Sequence, residues 1–252
     1  MCKQVLEMNA KAVSFLLQGE HDSSHWALQV ALEGFRNELN RKTAADNSSS
    51  SSSSAGTKRR LSFHQQQEEE DSMMTMMTDN TVLHTVLVGE DITASSAYCD
   101  NVITVYNRAF VLKSEIEDED PYFSRENEHT VPSIILYNMG VSHHILALKT
   151  GRSATLSKAL QLYTMSFSML QQASDMLDDF DILVLLALSN NMGAICSELY
   201  DQQGAQTSQD MVERVLASSD CLDALEEKDL EFFSLNLMFF SEHQMNILAP
   251  AA

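Results

Sequence analysis

Apolar side chains recur every three or four positions in the first 42 residues, which is the spacing of one face of an amphipathic helix. One set precedes a polar stretch from Gly19 to Ser24 and a second set follows it: Val5, Met8, Ala12, Phe15 and Leu16, then Leu28, Ala31, Leu32 and Phe35. The pattern predicts an N-terminal helical hairpin over residues 1–42. Asp22 or Ser23 is expected to cap its second helix by accepting free amide hydrogens.

The helical period is lost between about residues 43 and 80. This stretch contains seven consecutive serines, three glutamines, an acidic run and the clustered methionines of residues 73–77. Such a composition cannot bury enough apolar surface to offset the entropy lost on ordering, so it predicts a disordered linker. The alternative is that the methionines dock on a helix groove, because methionine adapts to irregular apolar surfaces.

Residues 81–112 have a different pattern, which is rich in β-branched side chains. Two runs, 81–88 and 102–106, are bounded by Gly89 and by Asp100-Asn101. They predict two strands that form a small hairpin. The alternative is a pair of extended segments lying along helices, because an isolated two-stranded hairpin is only marginally stable.

An acidic loop completes this predicted insert, which covers residues 81–129. The run 115–120 has no glycine and ends at Pro121, so it predicts a solvated loop and not a calcium site. Helical periodicity then resumes at Thr130-Val131-Pro132, where proline in the first turn would cost no hydrogen bond. Residues 130–252 are expected to complete one folded domain with the N-terminal hairpin.

The second half of the chain contains an internal repeat with an offset of 53 residues. Asn138-Met139-Gly140 recurs as Asn191-Met192-Gly193, and Gly151 is matched by Gly204. Further apolar positions match at the same offset: Leu146 with Leu199, Ala159 with Val212, Leu162 with Val215, and Tyr163 with Leu216. Each copy predicts an antiparallel helical hairpin with a connecting glycine.

The repeated glycines predict where helices approach closely. A glycine in the middle of a helix costs about 1 kcal/mol relative to alanine, so it is expected where a second helix must come near. A small residue of the second helix would face each glycine, and a larger one would fill the space one turn later. The residues expected to pack the repeat are Asn138, Gly140, Ala159, Tyr163, Asn191, Gly193, Val212 and Leu216.

These residues resemble the tetratricopeptide repeat (TPR), which has glycine on its first helix and alanine, aromatic, alanine on its second. The segment Tyr137–Gly140 followed by Ala159, Tyr163 and Phe167 carries the resemblance. The N-terminal hairpin shows it at Met8, Ala12, Phe15, Gly19, Ser24, Leu28 and Ala31. The resemblance implies an all-α fold in which antiparallel hairpins stack as a short array, with the β-rich or extended segment near 81–112 as a small insert.

The later repeats depart from the family pattern. The spacing from glycine to the second-helix alanine is longer than usual, and Ser166 replaces the second alanine. His143 and Cys196 occupy the usual aromatic position. We therefore expect a longer first helix or a bulged turn at Gly151 and Gly204.

A last apolar segment follows the repeats. Leu230, Phe233, Leu237 and Phe240 would share one face of a helix, whereas Phe232, Leu235 and Phe239 leave a strand as the alternative. Because terminal repeats need a cap, this segment is expected to close the array or to form a self-association surface.

Charge and composition exclude several classes of partner. The chain has 16 Lys and Arg against 36 Asp and Glu, a net charge of −20, so neither nucleic acid nor an anionic membrane is an expected partner. The longest apolar run, 182–188, is far below the roughly 20 residues that span a bilayer. No apolar secretion signal is seen near residue 1 and the four cysteines are scattered, which predicts an intracellular, cytoplasmic protein with a nuclear location left open.

Candidate catalytic or metal-binding groups are few. His21 and His25 are four residues apart but fall in a predicted turn without an HExxH glutamate, so they are expected to be a surface pair. His143 and His144 diverge by about 100° on a helix, and His143 is expected to replace a core aromatic. The chain has no nucleophile elbow and no phosphate-binding glycine loop. The sequence predicts no catalytic residue, no metal and no cofactor.

Arg59-Arg60-Leu61-Ser62 in the predicted linker resembles a basophilic kinase site. Ser62 is therefore a possible phosphorylation site. A phosphate there would partly neutralise the only basic cluster of the linker.

The leading hypothesis is a TPR-like protein-interaction scaffold and not an enzyme. Some family members clamp an acidic chaperone tail with lysine, arginine and asparagine, but Asn138 and Asn191 have no basic neighbour, so they are expected to tie helices together. The partner, a protein or peptide, is expected to be basic or apolar. The groove is expected to be lined by residues exposed on the first helices near the glycines: Tyr137, Val141, His144, Asn190, Ala194 and Ser197. The alternative is a helical-bundle metal protein or enzyme that uses histidines and carboxylates.

Overall fold

The computed structural model describes residues 3–50, 81–88, 104–114, 127–172, 179–218 and 225–248. These residues form an all-α fold with a small antiparallel sheet, as predicted. The elements in chain order are α1 (Lys3–Leu17), α2 (His21–Ser50), β1 (Thr81–Leu87), β2 (Arg108–Ser114), α3 (Asn127–Thr150), α4 (Ser153–Gln172), α5 (Asp179–Glu198), α6 (Gln202–Leu216) and α7 (Glu227–Leu248). Residues 51–80, with Ser62 and the clustered methionines, and the acidic run 115–120 lie outside the described residues.

The helices pack as successive hairpins. Helix α1 packs on α2, α3 on α4 and α5 on α6, and the short connections make each pair antiparallel. The second helix of each hairpin packs on the first helix of the next, so α2 contacts α3, α4 contacts α5 and α6 contacts α7. Helices α1, α3, α5 and α7, which we call the A row, also contact one another in that order.

Helices α3 and α5 form the centre of the core. Residues 130–142 of α3 are buried without interruption, and the apolar run 182–188 lies in α5, nearly all of it buried. A helix covered on all sides needs no polar face, which explains why neither stretch contains a charged side chain. Among the described residues, His129–Thr150 alone is long and apolar enough to cross a membrane, and 83% of its most apolar window is buried within the protein.

Local cap signals misplace two helix starts. Helix α2 begins at His21, because the Ser24 amide donates to the Glu20 carbonyl at 3.0 Å; Asp22 and Ser23 therefore lie inside the first turn and do not cap it. Helix α2 also extends to Ser50, through the first residues of the predicted linker.

Helix α3 begins at Asn127, so Pro132 lies inside the helix and not in its first turn. The Thr130 hydroxyl does not cap the helix either, because it donates to Asp181 Oδ1 of α5 at 2.8 Å. The Thr130 side chain, which the local sequence pattern assigned to a helix cap, instead makes a contact between two helices.

Other side chains approach the repeated glycines closely, but they are not the ones predicted to face them. A Cβ at Gly140 would meet the ring of Tyr163, which is expected beside the glycine, and not Ala159, which is expected to face it. At Gly193 the neighbours are Phe240 Cζ, 2.6 Å from such a Cβ, and Ser208, not Val212 and Leu216. Helix α7 supplies the aromatic ring here, which a comparison of the two copies alone could not indicate.

The connecting glycines also differ between the copies. Gly151 ends α3 with φ 66°, whereas Gly204 lies in the first turn of α6, where its amide donates to Asp201 Oδ1 at 3.0 Å. The residue with positive φ after α5 is Tyr200, at 59°. The predicted equivalence of Gly151 and Gly204 is therefore wrong.

The predicted β-hairpin exists, but its second strand is shifted. Strand β1 lies where expected, and β2 spans Arg108–Ser114 in place of 102–106, with Thr85 opposite Phe110. The described part of the predicted strand, residues 104–106, is not assigned to a strand. Residues 108–114 form the second strand because 109–112 are buried and the strand packs on α1 and α3. The β-branched composition, taken alone, favours 102–106.

Helix α7 confirms the helical interpretation of the last segment. Phe233 and Phe240 are buried, 0% and 4% exposed, while Leu235 and Met238 are 47% and 61% exposed. The helix therefore turns one aromatic face toward α5 and α6.

Candidate functional site

Each helix of the A row buries an asparagine, and we call these four side chains the asparagine row: Asn9 of α1, Asn138 of α3, Asn191 of α5 and Asn236 of α7. None is more than 2% exposed. A buried amide is costly unless its donor and acceptor are both paired. The asparagine row therefore needs hydrogen-bonding partners on the side of the A row that it faces.

The partner is the backbone of residues Thr104–Phe110, which we call the inserted segment. Asn191 accepts from the Tyr106 amide at 2.8 Å and donates to the Tyr106 carbonyl at 3.0 Å. Asn138 makes the same pair of bonds to Phe110, at 2.9 and 2.8 Å. Asn236 makes them to Thr104, at 3.1 and 2.7 Å. Three helices thus repeat one two-bond contact with an extended backbone.

Other side chains complete the pairing along this edge. The Tyr137 hydroxyl donates to the carbonyls of Tyr106 and Arg108, at 3.0 and 3.2 Å. Asn9 donates to the Phe110 carbonyl at 3.0 Å, and Asn190 donates to the Thr104 carbonyl at 3.0 Å.

Every second carbonyl from residue 104 to residue 110 is therefore bonded to a helix side chain. In extended chain, alternate residues point their backbone groups to the same edge. The asparagine row consequently covers this edge as a neighbouring strand would.

Two aromatic side chains anchor the inserted segment. The ring of Tyr106, 1% exposed, stacks on Phe233 with centroids 5.0 Å apart, and the ring of Phe110 lies 4.8 Å from that of Tyr137. Aromatic pairs at such distances contribute beyond their buried area. The inserted segment is thus held by both its backbone and its side chains.

A buried carboxylate lies beside the first anchor. Asp229 is 2% exposed, and its Oδ1 accepts from the Tyr106 hydroxyl at 3.0 Å. Arg108 Nε lies 3.9 Å from the same oxygen. Burial, and then the charge of Asp229, raise the pKa of Tyr106 well above its usual value, so the hydroxyl remains a donor.

The predicted groove residues face this segment or the core. Tyr137 and Asn190 bind the inserted segment directly, and Ala194 packs with Val105 and Phe240.

Val141 and His144 are buried, and Ser197 is half-buried. The expectation that these residues are exposed is therefore wrong for all but Ser197, because the inserted segment and neighbouring helices cover them. Their role in binding a partner stays a prediction.

The role expected of the repeated asparagines is only part of what they do. Asn138 does bond to Asn9 across two helices, at 2.9 Å, but its main contacts are with the inserted segment. Sequence reasoning missed Asn9 and Asn236 altogether. The signal was an asparagine inside an apolar helical stripe, because Asn236 lies between Phe233 and Phe240 on one face of α7.

Three histidines gather where α2 meets α3. The rings of His25 and His143 are 5.1 Å apart, and His21 Nδ1 lies 3.2 Å from the Ser142 hydroxyl. His21 and His25 are therefore partly buried between helices and are not a surface pair. Burial is the main cause that lowers the pKa of each of the three, that of His143 to about 4.

His144, and not His143, takes the place of a buried aromatic. It is 1% exposed, and its ring meets that of Tyr163 edge-on with centroids 6.0 Å apart. Within the part of the chain that the structure describes, no group of three His, Cys, Asp or Glu side chains is arranged to hold a metal ion.

Comparison with protein-family models, with curated proteins and with solved structures finds no match to this chain. The asparagine row and its contacts are thus the basis for a functional proposal.

Proposed function

We propose that the protein is a TPR-like interaction scaffold whose A row binds a protein or peptide segment in an extended conformation. The observation that supports this is the two-bond contact made by Asn138, Asn191 and Asn236 to one extended backbone. Main-chain hydrogen bonds supply affinity for an extended segment, and side-chain pockets supply the selectivity.

The chemistry of the groove suits binding better than catalysis. Its contacts come from asparagine amides and tyrosine hydroxyls, which are neutral groups that hold a backbone in place. The buried carboxylate of Asp229, beside the inserted segment, is already paired with the Tyr106 hydroxyl. Among the described groove residues there is no nucleophile beside a base, which is the arrangement that covalent catalysis requires.

We expect the partner to be basic or apolar. Asp229 is buried beside Arg108, and the chain carries a net charge of −20. An acidic segment would meet repulsion from both. We propose a cytoplasmic setting with a protein partner, and neither nucleic acid nor membrane.

The alternative candidate, a helical-bundle metal protein, would have to use His21, His25 and His143, although no group of three such side chains among the described residues is arranged to hold a metal ion. Each has one ring nitrogen with no hydrogen-bond partner among the described residues. Stoichiometric metal in the purified protein, lost in a His25→Ala variant, would favour this candidate over the scaffold.

A reversible lock tests the scaffold. Val105 packs against the cluster formed by Ala194 and Phe240, so a disulfide between Val105→Cys and Ala194→Cys, with its formation checked by mass spectrometry, would fix the inserted segment in the groove. Tagged full-length protein would be used to capture partners from native extract, in oxidised and reduced form. We expect a stoichiometric partner with the reduced protein and its loss on oxidation.

The single variant Val105→Cys, treated identically, is the control for oxidation elsewhere. Equal recovery of the partner by the oxidised and reduced double variant would show that the partner does not use this groove. The groove would then have to be abandoned as the binding site.

A further inference from the structure

We propose that the inserted segment is an internal copy of the partner's binding motif: an extended peptide of the form aromatic, any residue, basic, small, aromatic, which displaces residues 104–110 from the asparagine row. This inference rests on the proposed function, because it names the ligand class of the same groove.

The backbone contacts admit any extended chain. Asn236, Asn191 and Asn138 bond to residues 104, 106 and 110 through amide and carbonyl groups alone. Such bonds do not depend on which side chain the residue carries. Selectivity must therefore come from the side chains of the inserted segment.

Four side-chain positions define the motif. The rings of Tyr106 and Phe110 fill aromatic surroundings made by Phe233 and Tyr137. Ala109, between them, is 0% exposed, so a larger side chain has no room. Arg108 approaches the buried carboxylate of Asp229, and a buried carboxylate favours a cation or a hydroxyl donor at this point.

Covalent connection favours the internal copy over a partner. A tethered segment acts at an effective concentration of the order of millimolar. A free peptide with the same motif therefore competes poorly with the native segment and gains access when the segment's own anchors are removed.

The test uses a fluorescent peptide of residues 102–112 and the full-length protein. Fluorescence anisotropy would compare native protein with a Tyr106→Ala, Phe110→Ala variant, whose own segment has lost both anchors. We expect saturable one-to-one binding to the variant, at least about tenfold tighter than to the native protein.

Methylation of single backbone amides distinguishes specific binding of the peptide backbone from nonspecific apolar binding. N-methylation at Tyr106 of the peptide removes the amide hydrogen that is donated to Asn191 Oδ1. Loss of this bond should weaken peptide binding about tenfold or more. The matched control is N-methylation at Val105, whose amide bonds to no group in the described residues. Arg108→Glu in the peptide should also weaken binding.

Absence of binding to the folded double variant, or equal binding of the two N-methylated peptides, would overturn the inference and make the inserted segment a fixed structural element. If the double variant does not fold, the single variant Tyr106→Ala, which removes one aromatic anchor and the bond to Asp229, replaces it. If this peptide test fails but oxidation of the disulfide lock still abolishes capture of the partner, the scaffold function stands. A partner insensitive to the lock would reject the scaffold itself.

Discussion

Gly19 and Tyr200 end their helices with the same left-handed backbone geometry, at φ 76° and 59°. After α1 the Glu20 amide donates to the Phe15 carbonyl at 2.9 Å, and after α5 the Asp201 amide donates to the Cys196 carbonyl at 2.8 Å. This is the Schellman arrangement, which favours glycine because a Cβ is strained there. Tyr200 is 92% exposed, so packing does not offset its strain.

Replacing Tyr200 with glycine is therefore expected to raise the free energy of unfolding by roughly 0.5 to 1 kcal/mol, after the entropy of the glycine is subtracted. Urea denaturation measures this. The control is Gln161→Gly at an exposed position inside α4, which should lower the free energy of unfolding by about 1 kcal/mol. A loss of stability in both variants would show that the turn does not strain Tyr200.

His144 makes folding sensitive to acid. Burial lowers its pKa to about 3 from an ordinary 6.5. The unfolded chain therefore binds a proton near pH 6.5 that the folded chain refuses until about pH 3. Stability from this residue is complete above pH 6.5 and is lost progressively as the pH falls toward 3.

We expect His144→Leu to flatten the decline of unfolding free energy between pH 6.5 and 5, a window above the ordinary carboxylate range, by up to about 1.4 kcal/mol per pH unit. Urea unfolding at several pH values measures this slope. His84→Leu, at an exposed position on β1, is the control with the same substitution. An identical slope in native protein and both variants would contradict burial of a neutral His144.

At the scale of elements, the close approach of α3 and α4 depends on the absence of a side chain at Gly140. A Cβ there would meet the ring of Tyr163, which is 0% exposed and whose hydroxyl bonds to Asn191 at 3.3 Å. The ring cannot withdraw without disturbing the asparagine row. At Gly34 of α2, in contrast, the nearest atom is Val5 Cγ2 at 3.4 Å.

Gly140→Ala should lower the free energy of unfolding by about 1 to 3 kcal/mol because of overpacking. Gly34→Ala should leave it unchanged or raise it by up to about 1 kcal/mol, since alanine favours the helix. Thermal or urea unfolding of the two single variants is the measurement. Equal stability of both would mean that α3 and α4 separate at little cost.

At the scale of the molecule, α7 closes both the helical array and the groove. Phe233 is 0% exposed and stacks on Tyr106, while Asn236 on the same helix binds Thr104. The cap and the site are therefore one element. Loss of the cap is expected to release the inserted segment as well as to destabilise the fold.

Phe233→Ala should lower the free energy of unfolding by about 3 to 5 kcal/mol and speed amide hydrogen exchange at Tyr106. Met238→Ala, at an exposed position on the same helix, should change stability by less than about 0.5 kcal/mol. Fast amide exchange at Tyr106 in both variants, or in neither, would show that the position of the inserted segment does not depend on the Phe233 cap. Light scattering on a Leu235→Asp, Met238→Asp variant tests the exposed face for self-association.

The sequence by itself determined most of the helices, because each has an apolar periodicity or an apolar run. That pattern indicates, within the helix itself, which residues are buried. It predicted the first hairpin, strand β1, the helical α7 and the close approach of a second helix at Gly140. These features depend on residues within one helix or on two adjacent helices, so spacing is enough to reveal them.

Only the tertiary structure decided what the asparagines bind. Asn191 and Asn236 meet backbone groups 85 and 132 positions away, and a bond to backbone leaves no mark on the partner's side-chain pattern. The same holds for the shifted strand β2 and for the three gathered histidines. Burial against distant helices selects these partners, and a single chain read residue by residue does not show which surfaces will meet.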